Sequence, residues 1–82
     1  MKYHIQVFAG LAEQMGGPII TVPTDQETMT IAALKDLLSE RFPEVAAQLR
    51  GSFVAKNQAY AAPEDLVSIV DEIAIIPPVS GG

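Results

Sequence analysis

Ile31, Leu34, Leu37, Leu38 and Phe42 recur at the spacing of a single amphipathic helix, with one apolar stripe and a polar remainder. A stripe of that kind has to be covered. The apolar residues elsewhere fall in short runs that read as strands, so the helix is expected to cover one face of a sheet. Thr28 or Thr30 can cap its N-terminus, Arg41 suits the dipole of its last turn, and Pro43 stops it. Residues 44–50 remain helix-prone and predict another turn or two before Gly51. Lys35, Asp36, Glu40 and Arg41 are expected on the solvated side of the helix.

The strands follow from periodicity. Between Met1 and Ala9, Tyr3, Ile5 and Val7 alternate with Lys2, His4, Gln6 and Phe8, the period of a half-buried strand. Phe8 falls on the polar side. Either a bend at Ala9-Gly10 turns it into the core, or it is an exposed aromatic of the kind that anchors interfaces. His4 is read as a solvated strand histidine. Leu11, Ala12 and Met15 predict a short helical turn, closed by Gly16-Gly17-Pro18. No strand–GxxxxGK[ST]–helix pattern surrounds those glycines, so they are not a phosphate cradle. Ile19 to Val22 is a second strand, ended by Pro23 and antiparallel to the first. Thr24 to Thr30 reads as a polar connector. Phe53 to Lys56 is a third strand, and Asn57-Gln58 a tight turn into a short fourth around Tyr60. A loop around Pro63 follows, then the apolar run Leu66 to Val70, and Asp71-Glu72 lead into the last strand, Ile73 to Ile76.

That order, β-β-α-β-(β)-β, places the last strand beside the first, parallel to it and central. The expected fold is α+β: a ubiquitin-like β-grasp, with a mixed sheet of four to five strands on one main helix. One face of such a sheet stays open. Phe8, Tyr60 and Ile76 are predicted to gather there as an apolar patch, and such a patch marks a partner surface.

Composition narrows the chemistry. The chain has 82 residues, no cysteine and one histidine. Disulfides, thiolate metal sites and histidine-pair or triad chemistry are therefore not expected. A net charge of −5 argues against nucleic acid, whose phosphates need a basic face, and favours partners with a basic surface. No apolar run approaches the ~20 residues of a membrane span, and the N-terminus lacks a signal-peptide pattern. A soluble, cytoplasmic protein is expected.

After Ile76 the chain reads Pro77-Pro78-Val79-Ser80-Gly81-Gly82. Prolines lack an N–H and fix φ near −65°, so they neither join a ladder nor continue a helix. The domain is thus expected to span residues 1–76 and the tail residues 77–82. The prolines make a stiff stem, while Gly81 and Gly82 fit a channel too narrow for a Cβ. The predicted working group is the Gly82 carboxylate, and the predicted role of the rest is to present it.

The stretch from Asp71 to Gly82 strongly resembles the C-terminus of the small subunit of molybdopterin synthase, a ubiquitin-like sulfur-carrier family. Val7-Phe8-Ala9 with Leu11, Glu13 and Gly16 is similar to its N-terminal pattern, and Asn57-Gln58 to its mid-chain turn. The chain departs from that pattern at Ala12, where arginine is frequent, and at Ile69-Val70, where Asp-Gly is. The resemblance implies a sulfur carrier without catalytic side chains of its own. An activating enzyme would use ATP to adenylate Gly82, and a sulfur donor protein would convert the acyl-adenylate to a thiocarboxylate. The large catalytic subunit would then take up Pro77, Pro78, Val79, Ser80 and Gly81 within a heterotetramer. Sulfur would pass to cyclic pyranopterin monophosphate, forming molybdopterin for the molybdenum cofactor. No cofactor bound permanently, no metal, no nucleic acid and no membrane is implied. The alternatives are a carrier serving thiamine synthesis, tRNA thiolation or amino-acid sulfur delivery, a protein modifier joined to lysines through Gly82, and a β-grasp interaction module.

Overall fold

A computed structural model of the chain describes residues 1–77. Strand β1 (Lys2–Val7) is followed by helix α1 (Ala9–Met15), β2 (Ile19–Pro23), β3 (Thr28–Thr30) and α2 (Ile31–Arg41). A 3-10 turn at Pro43–Val45 leads into α3 (Ala46–Arg50), then β4 (Phe53–Lys56), β5 (Ala59–Ala61), β6 (Leu66–Ser68) and β7 (Ile73–Ile76). The main sheet has the order β2-β1-β7-β4-β5. β7 lies parallel to β1, with Gln6 opposite Ala74, and antiparallel to β4, with Ala55 opposite Ala74. This is the β-grasp topology the element order predicts.

The alternation of β1 does what its period requires. Tyr3, Ile5 and Val7 are buried, and they share one core with Ile73 and Ile75 from β7 and with Ile31, Leu34 and Leu38 from α2. Each such large aliphatic side chain stabilises the fold by roughly 1.5–3 kcal/mol relative to exposure. Thr30 caps α2, its Oγ1 accepting a hydrogen bond from the Ala33 N–H at 3.1 Å. Phe42 ends the helix, and Pro43 opens the 3-10 turn. Gly16 (φ 102°) closes α1, and both it and Gly17 donate backbone N–H groups to Ala12 O, a left-handed cap that side chains resist.

Two features differ from the sequence expectation. The connector between Thr24 and Thr30 contains a strand, β3, which pairs antiparallel with β6 in a separate two-stranded sheet. Three residues, Thr28-Met29-Thr30, are too short a run for their alternation to announce a strand. Its anchoring is tertiary: Glu27 O accepts from Ile69 N at 3.0 Å and from the Tyr3 hydroxyl at 3.2 Å. Burial, aided by the charges of Asp71 and Glu27, raises the Tyr3 phenol above its ordinary value. Lys35, expected in solvent, is half-buried and donates to Arg50 O (3.0 Å) and Ser52 O (2.8 Å). It ties α2 to the end of α3, and partial desolvation lowers its pKa.

The turn between β4 and β5 holds the start of β7. Asn57 (φ 52°) and Gln58 (φ 72°) both adopt positive φ, as a type I′ turn requires. Asn57 N donates to Glu72 O (2.8 Å), its Oδ1 accepts from Glu72 N (2.9 Å), and its Nδ2 donates to Asp71 Oδ1 (3.0 Å). Asp71 Oδ2 accepts from Ser68 N at 2.8 Å. These bonds favour the charged carboxylate and hold the Asp71 pKa below its ordinary 3.8. Asn57→Gly keeps the turn and removes both side-chain bonds, so thermal melts at neutral pH should show a loss of about 1–3 kcal/mol. The pH dependence has a defined sign. A carboxyl whose folded pKa is depressed stabilises above its unfolded value, and that increment is lost as pH falls through the folded one. Melting temperature should therefore fall below pH ~4 in the wild type, and fall less in Asp71→Asn. Equal slopes would show that Asp71 is not clamped in solution.

Candidate functional site

The sheet face turned away from α2 carries the residues of opposite parity. One row runs Gln6, Ala74, Ala55, Tyr60 across β1, β7, β4 and β5, each residue directly paired with the next. The two central positions are alanines, so the middle of the row is low and its surroundings are tall. Phe8, Tyr60 and Ile76 stand around this floor, enclosing a hollow of about 350 Å³ whose lining also includes Gln6, Gln58 and Glu72.

Phe8 reaches the rim because the backbone keeps its strand conformation there (φ −130°, ψ 160°) and turns only at Ala9 (φ 52°). Of the two alternatives for Phe8, the structure takes the exposed one: Phe8 is 47% exposed and does not enter the core. Tyr60 is 73% exposed and is supported by Phe53, whose ring meets it edge-on at a centroid distance of 5.7 Å. That edge-to-face arrangement is a favourable aromatic geometry. Phe53 is itself 57% exposed and pairs with Ile76 across β4 and β7. The structure thus brings Phe8, Tyr60 and Ile76 together and adds Phe53. Its parity with Ala55 was available in the sequence, but an aromatic opening a strand reads first as a core residue.

Pro77 is half-buried beside Ala9, Gly10 and Leu11 of α1 and Ala47, Gln48 and Gly51 of the α3 region. It continues directly from Ile76, so the chain leaves the sheet at the edge of the aromatic rim. Pro78, Val79, Ser80, Gly81 and Gly82, the tail residues singled out in the sequence, lie outside the described residues. His4 is exposed on the same open face, 3.4 Å from Thr21 Oγ1 through its Nδ1. Among the described residues no group of three or more His, Cys, Asp or Glu is placed to hold a metal. No helix there is long and apolar enough to cross a membrane.

The hollow presents aromatic and aliphatic surface, with Gln6, Gln58 and Glu72 as its polar lining. Exposed rings and an isoleucine around a small-residue floor suit the insertion of a partner's side chain.

Comparison with known proteins agrees with this architecture. The chain is 35% identical over 83 aligned residues to the molybdopterin synthase sulfur carrier subunit of Dictyostelium discoideum, covering 99% of this chain and 96% of that protein. Its fold matches SAMP1 of Haloferax volcanii, a small archaeal modifier protein, with a TM-score of 0.75, 29% identity and full coverage of both chains. The fold also matches a chain in a complex of subunits 1 and 2 of molybdopterin-converting factor from Helicobacter pylori, with a TM-score of 0.64, 18% identity and full coverage of both chains. A model of the ThiS family matches residues 5–82, and the chain therefore belongs to the ThiS family.

Proposed function

We propose that the chain is the sulfur-carrier subunit of a molybdopterin synthase, working in the cytoplasm with a large catalytic subunit, an activating enzyme and a sulfur donor protein. The observation that carries this reading is the near-complete alignment with a sulfur carrier subunit of that synthase. The open apolar face at the root of the Pro77 stem supports it, because a carrier must hold its partner while its terminus works inside it. The H. pylori complex gives a precedent for pairing of subunits 1 and 2 on this fold.

The proposed chemistry needs no side chain of the carrier. A Gly82 carboxylate oxygen attacks the α-phosphorus of ATP, forming a mixed anhydride with AMP as pyrophosphate leaves. A persulfide sulfur on the donor protein attacks the carbonyl carbon and AMP leaves, giving an acyl disulfide; a second thiol then cleaves its S–S bond, so that the donor is left as a disulfide and the terminus as –COS⁻. A terminal glycine leaves that carbon open to approach. The thiocarboxylate then gives its sulfur to cyclic pyranopterin monophosphate within the large subunit, and water restores the carboxylate. Proximity in that channel turns the transfer into an effectively unimolecular step. Catalytic groups lie on the partners.

The test is reconstitution. Thiocarboxylated chain, large subunit and cyclic pyranopterin monophosphate should yield molybdopterin. No product would remove this reading and favour a carrier of another thiolation pathway. A second reading, a modifier joined to lysines through Gly82, is favoured by the likeness to SAMP1. Isopeptide-linked adducts of the chain in cell extract would support it.

A further inference from the structure

We propose that Glu72 is an electrostatic key at one end of the open-face hollow, so that the partner segment seated there carries an apolar anchor for the Phe8–Ile76 end and a lysine or arginine for the Glu72 end. This rests on the reading of the hollow as the seat of the large synthase subunit. It adds a polarity to that seat.

The hollow has two unlike ends. Phe8 and Ile76 stand where the chain departs towards Pro77, and Glu72 lies four residues earlier on the same segment. At about 3.3 Å per residue, some 13 Å separates the two ends. Among the described residues, Glu72 is the only charged one in the lining. Its position is set by its backbone, which Asn57 grips from both sides through Glu72 N and Glu72 O, while the residue itself is exposed. The position from which the carboxylate reaches is therefore preorganised, while the exposed side chain keeps rotamer freedom with which to meet a partner cation.

An apolar segment laid over the whole hollow would strip water from Glu72 without replacing it, and an uncompensated buried charge is strongly unfavourable. A segment with a cation at that end meets a partner charge in place. The same segment reversed would set its cation against Phe8 and Ile76 and its anchor against Glu72. Glu72 thus rejects the reversed orientation. The tail leaves from the Ile76 end, so the orientation of docking also decides where the tail points. The net charge of −5 acts in the same direction at longer range, drawing in a basic surface that Glu72 then aligns.

The test measures affinity for the large subunit of molybdopterin synthase from the same organism at low and physiological salt. Variants are Glu72→Gln, Glu72→Lys and, as a charge-matched control on α2, Glu40→Lys. Glu72→Lys should weaken binding on the order of 30-fold or more, and Glu72→Gln about three- to tenfold with a flatter salt dependence. Glu40→Lys should change affinity less than about twofold. Equal effects of Glu72→Lys and Glu40→Lys would overturn the proposal, because only net charge would then matter. Should Glu72→Lys fail to fold, unchanged affinity and salt slope in Glu72→Gln would overturn it alone. A wild-type chain that does not bind the large subunit, or that self-associates through this face instead, overturns the functional reading itself. Binding by the wild type with indifferent Glu72 variants overturns only the key.

Discussion

One alanine appended after Gly82 should abolish molybdopterin formation while leaving the melting temperature unchanged. The added residue moves the reactive carboxyl about 3.8 Å along the chain and places a Cβ next to it. In a reaction that depends on placement, a 1 Å displacement costs about 100-fold, so at least that loss is expected here. Gly82→Ala tests the Cβ alone and should slow both adenylation and transfer without the displacement. Two readouts separate the steps. Intact mass reports whether one oxygen of the terminus has been exchanged for sulfur, and product formation with the large subunit reports delivery. Full activity of the extended chain without processing would mean that the terminus is not the acyl donor.

Ile76→Asp and Ile75→Asp, neighbouring changes of identical chemistry, should fail in different assays. Ile76 faces the hollow, so its aspartate sits in solvent in the free chain, which folds normally. On binding, that charge becomes buried without a counter-charge, a cost of about 3–5 kcal/mol. The expected result is a Kd for the large subunit raised roughly 150- to 5,000-fold. Ile75 is 0% exposed and lies at the centre of the core. Its aspartate should leave the chain unfolded before any partner is added. Circular dichroism and titration calorimetry on both variants distinguish the two outcomes. Unaltered affinity of Ile76→Asp would show that the large subunit docks elsewhere.

That contrast also shows why so much of the architecture was legible in the residues. Strict alternation in β1 and β7 assigns every side chain to a face, because slipping by one position would exchange core and solvent. The α2 stripe then leaves few ways to cover the sheet, and the open face follows from the lack of a second helix long enough to cover it. The same parity that buried Ile75 put Phe8, Tyr60 and Ile76 together. What was not legible depends on contacts between distant segments. Strand β3 is held by Glu27, Ile69 and Tyr3, and its own three residues are too few for their alternation to stand out. Lys35 looked like any exposed lysine on a helix, since nothing local reveals that the end of α3 offers it two carbonyls. Asn57 announced its turn by its tolerance of positive φ, but its grip on Asp71 and Glu72 spans fourteen and fifteen residues.

The central position of β7 has a further consequence. The hairpin β1–β2 and the hairpin β4–β5 touch within the main sheet only through it. Neither can be closed off from water until residues 73–76 arrive, and pairings this distant in sequence form late. A nascent chain is thus held open until its final strand has been made. Any molecule that has completed its fold has, by the same event, set Pro77 in place, so an unfinished chain has neither the closed core nor the complete open face.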